Sequence, residues 1–228
     1  ATAGVQGPYK LGPSSLPARW IAGYMTDVPQ EWRAALGGPA LTGLAGISIA
    51  GAASNGPTAA VFDPDDLGGS NAATLLCGYP LSRTLAHVYG YTEVSTNPYW
   101  TNDSEVRGVV FPEGTRSVLF FGTHGVGTFC YGTGAECGDP TDPDRGNHSY
   151  PYVHRIWAYD AQDLAAVRAG QVDPGDVTPY AIWDFETPFA GGKNTLAGVA
   201  WDPQARRIFM SAKLQEGAYP VIHVYKVV

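Results

Sequence analysis

The chain repeats itself. Residues 108–120 align without a gap on residues 198–210, setting Gly108 on Gly198, Phe111 on Trp201, Arg116 on Arg206 and Val118 on Ile208. Each copy reads as strand, tight turn, strand, because apolar and β-branched runs flank a polar Gly- or Pro-containing break. A weaker third copy opens at Gly46-Ile47-Ser48-Ile49. Repetition of one strand unit restricts the fold to architectures that bury their core by setting one unit against the next.

A second element recurs behind the first. Phe62-Asp63-Pro64-Asp65-Asp66-Leu67 matches Tyr159-Asp160-Ala161-Gln162-Asp163-Leu164, and the strand Ile156-Trp157-Ala158-Tyr159 matches Ile222-His223-Val224-Tyr225. Further apolar runs follow each Asp-Leu element, at 74–81 and 180–185. The unit is therefore strand, turn, strand, loop, strand, loop, strand, which is the make-up of a propeller blade. Val118-Leu119-Phe120-Phe121 is apolar at every position. A strand with one wet face alternates, so this one belongs to a sheet covered on both sides, in stacked blades or in a sandwich core. The Asp63, Asp66, Asp160 and Asp163 carboxylates read as turn residues at the corners of the units.

The expected fold is all-β: a β-propeller or part of one, with about three four-stranded antiparallel blade-like units. One short helix is expected at Pro29–Leu36, with Asp27 as cap, Pro29 in the first turn, Val28 as staple and Gly37 as terminator. A short strand is expected from Trp20 to Met25. The chain reads as a single domain over 1–228. Its last unit stops after three strands, which leaves three expectations: the strand around Val5–Leu11 completes it, the chain is the C-terminal part of a longer propeller, or several chains close the ring.

Three segments carry a family resemblance. They are residues 107–122, residues 130–140 (Cys-Tyr-Gly-Thr-Gly-Ala-Glu-Cys-Gly-Asp-Pro) and the ending Pro220-Val221-Ile222-His223-Val224. Over about residues 5–228 the chain resembles an uncharacterised family of secreted bacterial β-propeller-like proteins, matching the C-terminal half of its members. The resemblance implies fold, export and further blades upstream. It implies no chemistry.

Composition limits the partners. The net charge is −7, and no stretch clusters Lys and Arg, so the phosphate contacts that drive nucleic-acid binding are lacking. No apolar run is long enough to span a bilayer as a helix. Charged residues are only 15% of the chain, against about a quarter in an average domain. Cys130 and Cys137 flank a short Gly/Tyr-rich loop. They read as a disulfide, worth about 2.5 kcal/mol by loop closure, in a secreted or periplasmic protein, or else as two thiols. Cys77, in an apolar run, reads as a buried free thiol.

The functional surface is expected at 89–152, where the insertions are longest. Trp100, Tyr99, Tyr131, Tyr150 and Tyr152 supply flat faces suited to a glycan or another extracellular small ligand; the alternative is that they pack beneath the loops. His124, His148, Glu105 and Arg107 supply the acid, base and cation of a polysaccharide hydrolase or lyase. Asp139, Asp142 and Asp144 crowd oxygen ligands onto one turn, as calcium requires, or form a solvated acidic turn. His124, His148 and His154 make a transition-metal alternative. No Gly-x-Ser-x-Gly elbow and no P-loop occurs. The functional readings are a ligand-binding module, a hydrolase or lyase at the same loops, and an assembly protein whose open strand edges pair with another chain.

Overall fold

The computed structural model describes residues 10–11, 23–46, 54–66, 70–86, 94, 97–129, 149–188 and 195–228. Three antiparallel meanders follow one another along the chain. The first is β2 (Tyr24–Asp27), β3 (Ala40–Gly43), β4 (Ala59–Phe62) and β6 (Ala73–Cys77). The second is β7 (Glu105–Val110), β8 (Ser117–Gly125), β9 (Tyr152–Asp160) and β10 (Ala181–Phe185). The third is β11 (Thr195–Asp202), β12 (Arg207–Glu216) and β13 (Tyr219–Lys226). The described residues are mostly β, with two antiparallel sheets of four strands, one of three, and a separate two-stranded parallel pair.

The repeat seen in sequence is also a repeat of register. Gly108, Val109 and Val110 pair with Phe121, Phe120 and Leu119, while Gly198, Val199 and Ala200 pair with Ser211, Met210 and Phe209. Both first strands carry an irregularity just before the glycine. Of the weaker copy only Gly46 is described, just beyond β3; Ile47-Ser48-Ile49 lies outside the described residues. The strand expected at Trp20–Met25 overlaps β2 (Tyr24–Asp27); residues 20–22 lie outside the described residues.

The second sheet is covered on both faces, as its continuous apolarity requires. Val118 and Phe120 of β8 join Trp157 and Tyr159 in a core shared with Tyr24, Leu41 and Val61 of the first sheet. Leu119 and Phe121 face the other way, into a cluster with Leu196, Ile208 and Met210 of the third sheet. The Tyr24 and Phe120 rings meet edge to face at 6.1 Å. The first strands of the sheets lie together: β7 packs on both β2 and β11, and β11 reaches β2. Where they meet, Met25, Asp27, Phe62, Val109, Val199 and Trp201 line a depression of about 400 Å³.

Among the described residues, the expectation of one helix is corrected to two α-helices. Helix α1 (Gln30–Leu36) ends at Gly37 as read, with φ 92° and its N–H bonded to the Arg33 carbonyl. Its start differs: Pro29 occupies the cap position with no side-chain bond, because Asp27 is the last residue of β2. Helix α2 (Ala161–Arg168) stands where the sequence suggests only a turn at Asp160 and Asp163. Asp160 caps it through the Gln162 N–H at 2.8 Å, and Ala161, Leu164 and Val167 form its buried stripe. It packs on β6, β9 and α1. The matching segment at Asp63 makes only an Asx turn, with Asp65 N–H on Asp63 Oδ1 at 3.0 Å. Pro64 and the glycines after Leu67 give it no run of helix formers.

A second correction concerns the N-terminal strand. Its described part, β1 (Lys10–Leu11), pairs in parallel with β5 (Ser70–Asn71), not with the third sheet.

Cys77 is buried and free, as read. Its Sγ lies 3.4 Å from the Pro57 carbonyl and 3.7 Å from the Tyr79 hydroxyl. That hydroxyl lies 2.8 Å from the Tyr159 hydroxyl and also donates to the Val177 carbonyl.

Candidate functional site

Strand direction gathers the chemistry at one end of the second sheet. β7 and β9 begin there, and β8 and β10 finish there. Glu105, Arg107, His124, Tyr152, His154 and Asp184 all lie on these strand ends. Tyr131, His148, the pair Cys130 and Cys137, and the trio Asp139, Asp142 and Asp144 lie outside the described residues.

The pleat divides the described residues between two faces. Glu105 pairs with Thr123, Thr123 with His154, and His154 with Phe185. This row crosses all four strands on the face toward the third sheet. His124, next along β8, points to the opposite face. The Glu105 and Arg107 pair and His124 are therefore brought to one end of the sheet but not into one constellation. His124 and His154 are separated in the same way. Among the described residues no group of three His, Cys, Asp or Glu side chains is placed to hold a metal ion.

On its own face, His124 is a fastening. Its Nδ1 lies 2.9 Å from the Ser104 hydroxyl, which lies 2.9 Å from the Thr101 hydroxyl. The ring is 2% exposed. Burial pushes its pKa down to about 3; the nearby Arg155 cation adds to this, and Asp184 and a bond to the Asn97 backbone oppose it. Such an imidazole stays neutral at physiological pH.

Other side chains hold the same connection. Arg155 Nη1 donates to the Pro98 carbonyl at 2.7 Å, and Trp157 Nε1 to the Tyr99 carbonyl at 2.7 Å. Trp100 packs against Trp157, the rings tilted at 51° with centroids 5.0 Å apart, and is fully buried. Of the aromatic candidates it packs the underside of the loop, while Tyr99 is 46% exposed. Residues 97–104 are thus clasped to the sheet by residues that come much later in the chain.

Glu105 is buried and receives Arg107 Nη2 on both carboxylate oxygens at 2.7 Å. The remaining acid–base residues open into a cleft. Tyr152, His154, Asp184, Phe185, Glu186 and Thr187 line a space of about 510 Å³. The buried His154 ring leans on Phe185 at 5.3 Å, and Tyr150 meets Tyr152 edge to face at 6.2 Å. Asp184 is held by Arg155 through bonds of 2.6 and 2.8 Å, which keep its carboxyl below the usual carboxylate range. A polar chain backs the cleft from the third sheet. Gln215 Nε2 donates to the Thr187 hydroxyl at 2.9 Å, and Gln215 Oε1 lies 2.5 Å from His223 Nε2.

Asp184 and Glu186 were not singled out in sequence. The signal for them was the alternation Trp183-Asp184-Phe185-Glu186 at a strand exit, where acidic residues on a short apolar run face out of the sheet. The chain matches no protein-family model, and it matches no curated protein.

Proposed function

We propose that the chain is an exported propeller-type module that binds an extracellular polar ligand, of the glycan class, at the end of the second sheet. The propeller reading is supported by the ordered meanders, the repeated register and the packing of β2, β7 and β11 on one another. The ligand reading rests on one observation: the cleft lined by Tyr152, His154, Asp184 and Glu186 at the ends of β9 and β10. Tyr152 offers a ring face and a hydroxyl. Asp184 and Glu186 offer acceptors for sugar hydroxyls. Tyr152, His154 and Asp184 stand on hydrogen-bonded strands and Glu186 directly follows β10, so the fold places the groups before a ligand arrives. Buried, neutral His124 and the ion-paired Glu105 support binding without turnover.

The test is titration calorimetry of the whole chain against a panel of neutral and basic oligosaccharides, with Tyr152→Ala and Glu186→Gln beside it. Binding that weakens at least about tenfold in both variants supports the reading. The reading fails if no oligosaccharide binds, or if the variants bind as well as the parent chain.

A further inference from the structure

Gln215 is buried on a strand whose alternation would turn it outward. Along β12, Ile208 and Met210 face the second sheet. Strict alternation puts Ala212 with them and sets Ser211, Lys213 and Gln215 on the opposite face. Instead Gln215 is 3% exposed and bonded to residues beyond β10. The strand pairing shows the cause. Ala212 pairs with Val221 and Glu216 with Tyr219, so residues 213–215 stand opposite Pro220 alone. Extra residues on one strand make a bulge, which re-aims a side chain. This one brings Gln215 to the face that carries His223, the cross-strand partner of Met210.

The bonds around Gln215 fix which end of its amide points where. Nε2 donates to the Pro188 carbonyl at 3.1 Å as well as to the Thr187 hydroxyl at 2.9 Å. A carbonyl only accepts, so this end is the NH2 group and the amide oxygen faces His223 at 2.5 Å. His223 Nε2 therefore carries a hydrogen and donates it. Thr187 and Pro188 lie past the end of β10, outside its pairing with β9. Thr187 and its neighbour Glu186 line the cleft.

We propose that Gln215 is a positioning residue of the cleft: with its amide set by His223, it holds the Thr187 wall in place from the third sheet. Its effect on a ligand rests on the binding reading above; the geometry it imposes does not. The cleft is thus assembled across two sheets, and its affinity depends on a side chain that touches it only from behind.

Ring-nitrogen NMR spectra of the parent chain at pH 8, where an ordinary imidazole is neutral, test the first link. The His223 hydrogen is expected on Nε2; a hydrogen on Nδ1 alone turns the amide round and overturns the proposal. Gln215→Met, which has no donor, tests the second. The Thr187 side chain, held in one rotamer in the parent, should average among rotamers in the variant. Affinity for an oligosaccharide that the parent binds should fall at least about tenfold. A Thr187 rotamer as fixed in the variant as in the parent overturns the proposal, as does an unchanged affinity. If the parent binds no oligosaccharide, the binding reading fails by itself and the rotamer still decides for Gln215. The His223 tautomer needs no variant, so it tests the amide assignment even where Gln215→Met does not fold.

Discussion

The hydroxyls of Tyr79 and Tyr159 meet at 2.8 Å in the dry interval between the first and second sheets. Tyr79 also donates to the Val177 carbonyl, so its hydroxyl is the hub and Tyr159 a spoke. Tyr79→Phe takes the hydroxyl donor from the Val177 carbonyl and the Tyr79 partner from the Tyr159 hydroxyl, at a cost of about 1–3 kcal/mol. Tyr159→Phe removes one bond and costs about 0.5–1.5 kcal/mol. Urea unfolding of the two variants should give that order; the reverse order would mean that Tyr159 holds the network.

Cys77 sits against the same hub, and burial pushes its thiol pKa up to about 12, with the Tyr79 and Tyr159 bonds opposing. The thiolate is the reactive form, so Cys77 in the native chain should resist thiol-directed labelling at pH 8 and react fully in denaturant, with the labelled site read by peptide mass. Rapid labelling of Cys77 under native conditions would show that the interval opens to solvent.

His124 makes the fold sensitive to acid. Its folded pKa, about 3, lies below the unfolded value of roughly 6.5. The unfolded chain therefore binds the extra proton first. The stability contribution is complete above the unfolded value and is lost as pH falls toward 3, by at most about 1.4 kcal/mol per pH unit. Asp184, whose pKa is also lowered, mainly by its bonds to Arg155, adds a loss below the ordinary carboxylate range. In His124→Gln the slope of unfolding free energy between pH 6 and pH 4 should flatten; an unchanged slope would assign the acid sensitivity elsewhere.

The strand repeat was legible in sequence because both of its causes are local. Alternating and continuous apolar runs report how many faces a strand buries, and Gly108 and Gly198 could be set on one another by eye. Helix α2 was not legible, because its capping Asp160 resembles the turn residue Asp63, and the likeness hid the helix formers that follow. The separation of His124 from Glu105 depends on a pairing register across β7 and β8, which neither strand encodes alone. Trp100 was read as a ligand platform on its type, yet its partner Trp157 lies on β9, in a different part of the sequence. Proximity in the chain marked one end of the second sheet; it could not say which face each side chain took.

The clasp on residues 97–104 sets an order of events as the chain is made. The Pro98 and Tyr99 carbonyls wait for Arg155 and Trp157, which follow 57 and 58 residues later. Until β9 emerges, the crossing from the first sheet to the second has no fastening from these side chains. Stopping synthesis between them leaves the Pro98 and Tyr99 carbonyls without the donors that hold them in the finished protein.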